Sequence, residues 1–207
     1  VVIVGGGPSG LSTAIKFAQM NKENGTNYSI CLLEKGSEIG AHILSGNVFQ
    51  TTALDELIPN WKDLNAPLNV PVKKDKLLFL LKKIGLPVPA FIMPTMNNHG
   101  NYVISLGNLC RWLGEQAENL GVEIFPGFPA SKLLYEGDKV VGVQTGDMGI
   151  NAKGELKPAN EPGIEIRAKY TILGEGCRGH LGKEIIEKFD LSKDKDPQHY
   201  GIGFKEV

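Results

Sequence analysis

Val1-Val-Ile-Val-Gly-Gly-Gly-Pro-Ser-Gly10 opens the chain, and the reading of these ten residues decides the fold. Four β-branched residues run directly into Gly5-x-Gly7-x-x-Gly10, and an amphipathic stretch follows at once. A buried strand, a tight glycine turn and a helix in that order form the context of a dinucleotide-binding fingerprint. Gly5 permits the sharp turn, Gly7 lets the backbone approach a pyrophosphate, and Gly10 lets helix and strand pack closely. Pro8 and Ser9 open the helix, whose free N–H groups and positive dipole end would face the phosphates. Leu11, Ala14, Ile15 and Ala18 recur at helical spacing and are expected to face a sheet. A polar turn over residues 21–27 leads to a second apolar strand, Tyr28 to Leu33, ending in Glu34. An acid at that strand tip accepts hydrogen bonds from the adenosine ribose hydroxyls. The alternative, a chance glycine triplet with a surface glutamate, does not account for strand, helix, second strand and acid falling in sequence.

Composition narrows the rest. The 207 residues are 42% apolar and 22% charged, ordinary for a globular chain able to bury a sizeable core. A net charge of −1 offers no basic excess for neutralising phosphates, so no nucleic-acid partner is expected. Cys31, Cys110 and Cys177 are widely spaced, form no CxxC pair, and suit a reducing compartment. No signal peptide and no apolar run long enough to span a bilayer is visible. Because the chain opens inside a strand and closes on what reads as another beginning at Gly201, it is expected to be the N-terminal part of a longer protein.

Residues 35–46, beginning at Lys35, form a glycine-punctuated loop leaving the sheet edge where cofactor lies. His42 and Ser45 either approach the cofactor's reactive ring from this loop or are ordinary loop polars. A short helix is expected from Thr51 to Trp61, and a proline-broken extended stretch from Asn65 to Lys76. Residues 77–96 are heavily apolar, yet Lys82 and Lys83 interrupt them and Pro87, Pro89 and Pro94 preclude one helix. They read equally as an apolar hairpin at a membrane interface, preceded by Lys73, Lys74 and Lys76, or as core strands or a ligand wall. A polar turn at 97–102, a helix from Leu106 to Leu120 and a strand at 122–125 follow. A hairpin pairs 130–135 with 139–145 through Glu136-Gly-Asp138. Residues 147–163 read as a loop and Ile164 to Leu173 as one strand. That strand enters Gly174-Glu175-Gly176-Cys-Arg-Gly179, formally a second GxGxxG, before a helix over 181–191. With no following strand that ends in an acid, this turn reads better as a return contact to the first cofactor than as a separate nicotinamide site.

GGGPSG…LLEK, IGAHILSGN, MNNHGNY, WLGEQAENLGVEIFPGF, GDMGI and TILGEGCRGHLGK…YGIGFKE together resemble the electron transfer flavoprotein–ubiquinone oxidoreductase family, along nearly the whole chain. The resemblance implies an α/β Rossmann-like FAD-binding domain of the glutathione-reductase type with inserted β-rich and membrane-contact segments. It implies FAD held by Gly5, Gly7, Pro8, Ser9, Gly10, Glu34 and Lys35, with Gly174, Glu175 and Gly176 returning to the flavin's chain. It implies a FAD-binding unit at 1–46, an inserted segment at 47–104 whose residues 77–94 touch the membrane, and the remainder of the FAD domain with the start of a quinone-binding domain at 105–207. A [4Fe–4S] cluster is expected in a C-terminal region beyond Val207. Electrons are expected to pass from reduced electron transfer flavoprotein to ubiquinone at the matrix face of the mitochondrial inner membrane, or at a bacterial cytoplasmic membrane.

One departure from flavoproteins of this fold is Ser105, where many place an arginine; Arg111 lies further along the helix. Electron transfer requires no acid–base dyad or nucleophile, and no catalytic residue is assigned; the protein holds and tunes the flavin. The competing readings are a FAD-dependent monooxygenase or isoprenoid-chain reductase, and a catalytically idle flavoprotein subunit.

Overall fold

The computed structural model describes residues 1–44, 46–150 and 156–203. The chain divides into two compact units, Val1–Ala41 with Leu113–Val207, and His42–Trp112.

The first unit starts as β1 (Val2–Val4), α1 (Pro8–Asn24) and β2 (Cys31–Glu34). Pro at the start of α1 lacks only an N–H that the helix would not use, and Gly25 ends the helix in the left-handed conformation. Leu11, Ala14 and Ile15 of α1 are fully buried, as the helical spacing requires.

The second unit holds β3 (Asn47–Phe49), α2 (Thr52–Leu57), β4 (Val70–Pro71), β5 (Leu77–Leu80), β6 (Gly85–Val88) and β7 (Tyr102–Ile104). β3 and β4 flank β7 antiparallel, a small sheet absent from the sequence expectations because each strand has only two or three residues. The helix expected over 51–61 stops at Leu57, ahead of Pro59. Asp55 accepts from Thr51 Oγ1 (2.8 Å) and from the Trp61 indole N–H (2.7 Å), holding that corner. These bonds favour the carboxylate and lower its pKa. Trp61 packs edge-on to Tyr102. β5 and β6 form an antiparallel hairpin, followed by 3₁₀ turns at Ala90–Ile92 and Pro94–Met96. The core-strand reading of this stretch is overturned: Phe79, Leu80 and Phe91 are 62%, 75% and 82% exposed.

α3 (Leu106–Asn119) crosses the boundary between the units, with Leu109, Cys110, Trp112, Leu113 and Ala117 buried. The first unit then continues with β8 (Glu123–Pro126), β9 (Ala130–Glu136), β10 (Lys139–Thr145), β11 (Met148–Ile150), β12 (Leu156–Glu161), β13 (Glu165–Arg167), β14 (Thr171–Leu173) and α4 (His180–Lys188). Two expectations are corrected. Residues 147–163 are not simply a loop, because β11 and β12 pair antiparallel. The single strand foreseen from Ile164 to Leu173 is two, because β13 pairs antiparallel with β10 and β14 runs parallel to β1.

That division builds the fold. The central sheet has the order β8-β2-β1-β14, all parallel, so the strands taken in chain order stand 3-2-1-4. This is the Rossmann arrangement, with its reversal of strand order between β1 and β14. α1 contacts β1 and β2. Val2, Val4 and Leu33 pack with Leu133 of β9, Val143 of β10 and Leu181 of α4, so the antiparallel sheet β13-β10-β9 and α4 share a core with the parallel sheet.

Candidate functional site

Ligands of open parallel sheets bind beyond the carboxyl ends of the strands where strand order reverses. Here both glycine turns leave carboxyl ends at that point, Gly5–Gly10 after β1 and Gly174–Gly176 after β14. They interlock. Gly174 N–H donates to the Val4 carbonyl (2.7 Å) and Gly5 N–H to the Leu33 carbonyl (2.8 Å). Gly5 has φ +103°, and a Cβ there would overlap the Gly174 carbonyl oxygen. A Cβ on Gly10 would overlap the Gly5 carbonyl oxygen, and one on Gly174 would sit 3.1 Å from Gly10 N. Three glycines thus allow two turns and a helix start to occupy one spot. Gly7 differs: nothing lies within 4 Å of a Cβ added there, so the turn is open where a pyrophosphate would approach.

The start of α1 is bare. Gly7 is its N-cap, no side chain among the described residues caps it, and its first turn carries no acid. Pro8 and Ser9 are exposed, and the Ser9 carbonyl accepts from Thr13 Oγ1 (2.8 Å). Helix N-terminal N–H groups without a protein partner attract an anion through both hydrogen bonding and the helix dipole. The start of α4 is the opposite. Glu175 Oε1 accepts from His180 N and Leu181 N (3.2 Å each), and its Oε2 from Gly182 N (2.9 Å). A carboxylate already caps this helix end and would repel a phosphate. The second GxGxxG therefore has the spacing of a dinucleotide fingerprint without its anion-receptive helix, and Glu175 has a capping task that the sequence did not reveal.

Glu34 sits at the end of β2, half-buried. Its Oε2 accepts from Gly6 N (2.7 Å) and its Oε1 from Gly36 N (2.6 Å). The acid therefore ties the first glycine turn to the loop after β2 while lying beside the open turn. Gly6 and Gly36 were not among the sequence candidates. A Cβ on Gly6 would meet the movable end of the Ile39 side chain and lie 3.0 Å from Glu34 Oε2, and Gly114 of α3 lies against Ile39 on another side. Lys35 is exposed next to Glu34. His42 is exposed and belongs to the second unit, and Ser45 lies outside the described residues.

Among the described residues no group of three or more His, Cys, Asp or Glu is placed to hold a metal ion. Cys31, on β2, is pushed up to about 11 by burial and by the neighbouring Glu123 carboxylate, against a smaller opposing effect of the N-terminal amine. It is a packed thiol and a poor nucleophile.

The chain is similar to several known proteins. The family model described as an NAD(P)-binding Rossmann-like domain matches residues 3–63. Over its full length the chain is 58% identical to the probable electron transfer flavoprotein–ubiquinone oxidoreductase of Acinetobacter baylyi, covering 37% of that protein. It is 55% identical to the electron transfer flavoprotein–ubiquinone oxidoreductase of Pseudomonas aeruginosa, covering 38%, and 50% identical to the mitochondrial protein of that name from Mus musculus, covering 34%. The chain thus spans a little over a third of the length of these relatives. Among solved structures, a geranylgeranyl bacteriochlorophyll reductase-like protein from Thermoplasma acidophilum superposes with a TM-score of 0.63 at 22% identity, over 88% of this chain and 40% of that one. The myxobacterial halogenase CndH superposes with a TM-score of 0.57 at 18% identity, over 88% and 38%. At such identities these two share the Rossmann-like α/β fold alone.

Proposed function

We propose, from the premise that this chain is homologous along its whole length to electron transfer flavoprotein–ubiquinone oxidoreductases, that it is the FAD-binding part of such an enzyme. The observation that carries the reading is the bare start of α1 above an open Gly7, with Glu34 anchored beside it. FAD held there would supply the redox chemistry between electron transfer flavoprotein and ubiquinone. The chain's own residues bind and orient it. Gly5, Gly7, Pro8, Ser9 and Gly10 would cradle the pyrophosphate, and Glu34, with Lys35 next to it, would accept from the ribose hydroxyls. Gly174 and Gly176 bring backbone to the flavin's chain, with Glu175 holding that turn against α4. His42 and Ser45 are assigned to the ring end as hydrogen-bonding tuners.

The domain type proposed is that of glutathione reductase, with inserted segments. The [4Fe–4S] cluster belongs to a region outside this chain. No described helix is long and apolar enough to cross a membrane. Membrane association is instead assigned to residues 77–94, whose hairpin exposes Phe79, Leu80, Leu81 and Ile84. Several exposed large apolar side chains on one hairpin are the kind of surface that marks an interaction site. The location proposed is the matrix face of the mitochondrial inner membrane or a bacterial cytoplasmic membrane.

The test is the visible spectrum and iron content of the full-length protein, with reduction by electron transfer flavoprotein and reoxidation by a soluble ubiquinone. Flavin bands that bleach and recover, together with cluster iron, support the assignment. Absence of flavin, or flavin reoxidised only by oxygen, overturns it.

A further inference from the structure

The hairpin proposed to meet the membrane carries its charge at both ends. β5 and β6 pair Leu77 with Val88, Leu78 with Pro87, Phe79 with Leu86 and Leu80 with Gly85, and Leu81 N–H donates to the Ile84 carbonyl (2.8 Å). Lys82 and Lys83 therefore form the tip. Lys73, Lys74 and Lys76 stand at the base, and all five are exposed. Between Leu64 and Met96 the one acid is Asp75, whose carboxylate accepts from Asn98 N (2.8 Å) and Asn98 Nδ2 (3.0 Å). A chain of net charge −1 has thus gathered a local cationic excess around this exposed apolar segment.

The geometry points to a hairpin that lies along an anionic phospholipid surface, with Lys82–Lys83 and Lys73–Lys76 both at headgroup level and the apolar side chains of one hairpin face turned toward the acyl chains. The inference rests on the membrane contact proposed above and adds its lipid requirement and its orientation. Tip-first insertion would carry two ammonium groups into hydrocarbon, where charge is strongly disfavoured. The reach is also short: four residues per strand extend about 13 Å at roughly 3.3 Å each, a little under half of the ~30 Å hydrocarbon core. Lying flat lets each lysine stem cover apolar surface while its head remains with phosphate. A cavity of about 310 Å³ beside the hairpin, bordered by Leu77, Leu78, Pro87, Val88, Met93 and Met96, adds apolar surface at the base end.

The experiment is flotation of the full-length holoprotein, freed of detergent, with vesicles of phosphatidylcholine alone and with phosphatidylglycerol mixed in. Binding is expected to favour the anionic vesicles and to weaken with salt. Lys82→Ser/Lys83→Ser is expected to lower partition onto anionic vesicles by roughly 10- to 30-fold, each lysine near an anionic surface counting for about 5-fold. Partition onto phosphatidylcholine is expected to stay unchanged, and Lys82→Arg/Lys83→Arg to retain full binding, which separates charge from misfolding. Equal binding of the unaltered protein to both vesicle types would overturn the anionic requirement and leave the membrane contact standing. Stronger binding of the serine variant to both would indicate tip-first insertion and overturn the orientation. Binding to neither, with self-association through the hairpin instead, would put a second copy on this face and overturn the proposal together with the membrane contact.

Discussion

Replacing Glu34 by Gln tests the cofactor assignment at its most exposed point. Both carboxylate oxygens are acceptors, from Gly6 N at 2.7 Å and Gly36 N at 2.6 Å. The amide keeps the shape but has one oxygen, so one backbone N–H is left facing an NH₂ group. A charge-assisted hydrogen bond contributes about 1.5–3 kcal/mol, and the half-buried setting argues for the lower end, about 1.5–2 kcal/mol. The same substitution removes the charge that would accept from the ribose hydroxyls. A charge-assisted bond from a ribose hydroxyl to this carboxylate is of similar size, so at about 1.4 kcal/mol per tenfold FAD affinity should fall roughly 10- to 30-fold, separately from the loss in the turn. The assay is titration of the apoprotein with FAD, followed by quenching of flavin fluorescence, beside thermal unfolding of the apoprotein. The unfolding comparison shows how much of the loss is the turn and how much the ligand. An unchanged FAD affinity would refute the placement of the adenosine end at Glu34.

Other expectations follow from the same geometry. Gly10→Ala forces a methyl group onto the Gly5 carbonyl, and should destabilise the fold by about 1–3 kcal/mol and abolish retention of flavin through gel filtration. Glu175→Ala removes the cap of α4 at a cost of about 1–2 kcal/mol, seen by scanning fluorimetry as a melting temperature lower by about 2–8 °C. Asp55 has a depressed pKa, so its stabilising bonds are present above the usual carboxylate value and lost as pH falls below about 4. Tryptophan fluorescence should report that acid transition, and Asp55→Asn should remove the Asp55 part of it. Iodoacetamide with mass mapping should label the exposed Cys177 first and spare Cys31 until the pH nears 11.

Much of the fold was readable because local pattern and tertiary demand coincide. Gly5, Gly7 and Gly10 between a β-branched run and a helical stripe specify strand, turn and helix with no long-range information. The Leu106–Leu120 helix and the hairpin around Gly137 were legible for the same reason, since periodicity and turn chemistry are local. The failures are of another kind. Ile164, Ile166, Ala168, Tyr170 and Ile172 alternate without interruption, so the sequence reads one strand. The chain nevertheless divides near Ala168, because the first half pairs with β10 and the second with β1. Glycine and proline content hid β11 and β12, and strands as short as β3, β4 and β7 carry too few residues for a period.

The glycine spacing and Glu34 were determined by sequence alone, because a backbone that must turn sharply and approach closely leaves few residue choices. A mainly apolar 77–96 with lysines inside it was equally plain, but its exposure was not, since a buried and an unburied apolar strand have the same composition. Only the tertiary structure decided that β14 stands next to β1, which brings the second glycine turn against the first and creates the reversal of strand order. It also decided that Glu175 closes one helix start and leaves the start of α1 open. Pairing between strands more than 160 residues apart, such as Val2 with Thr171, is set by the packing of the whole core, and no local pattern encodes it.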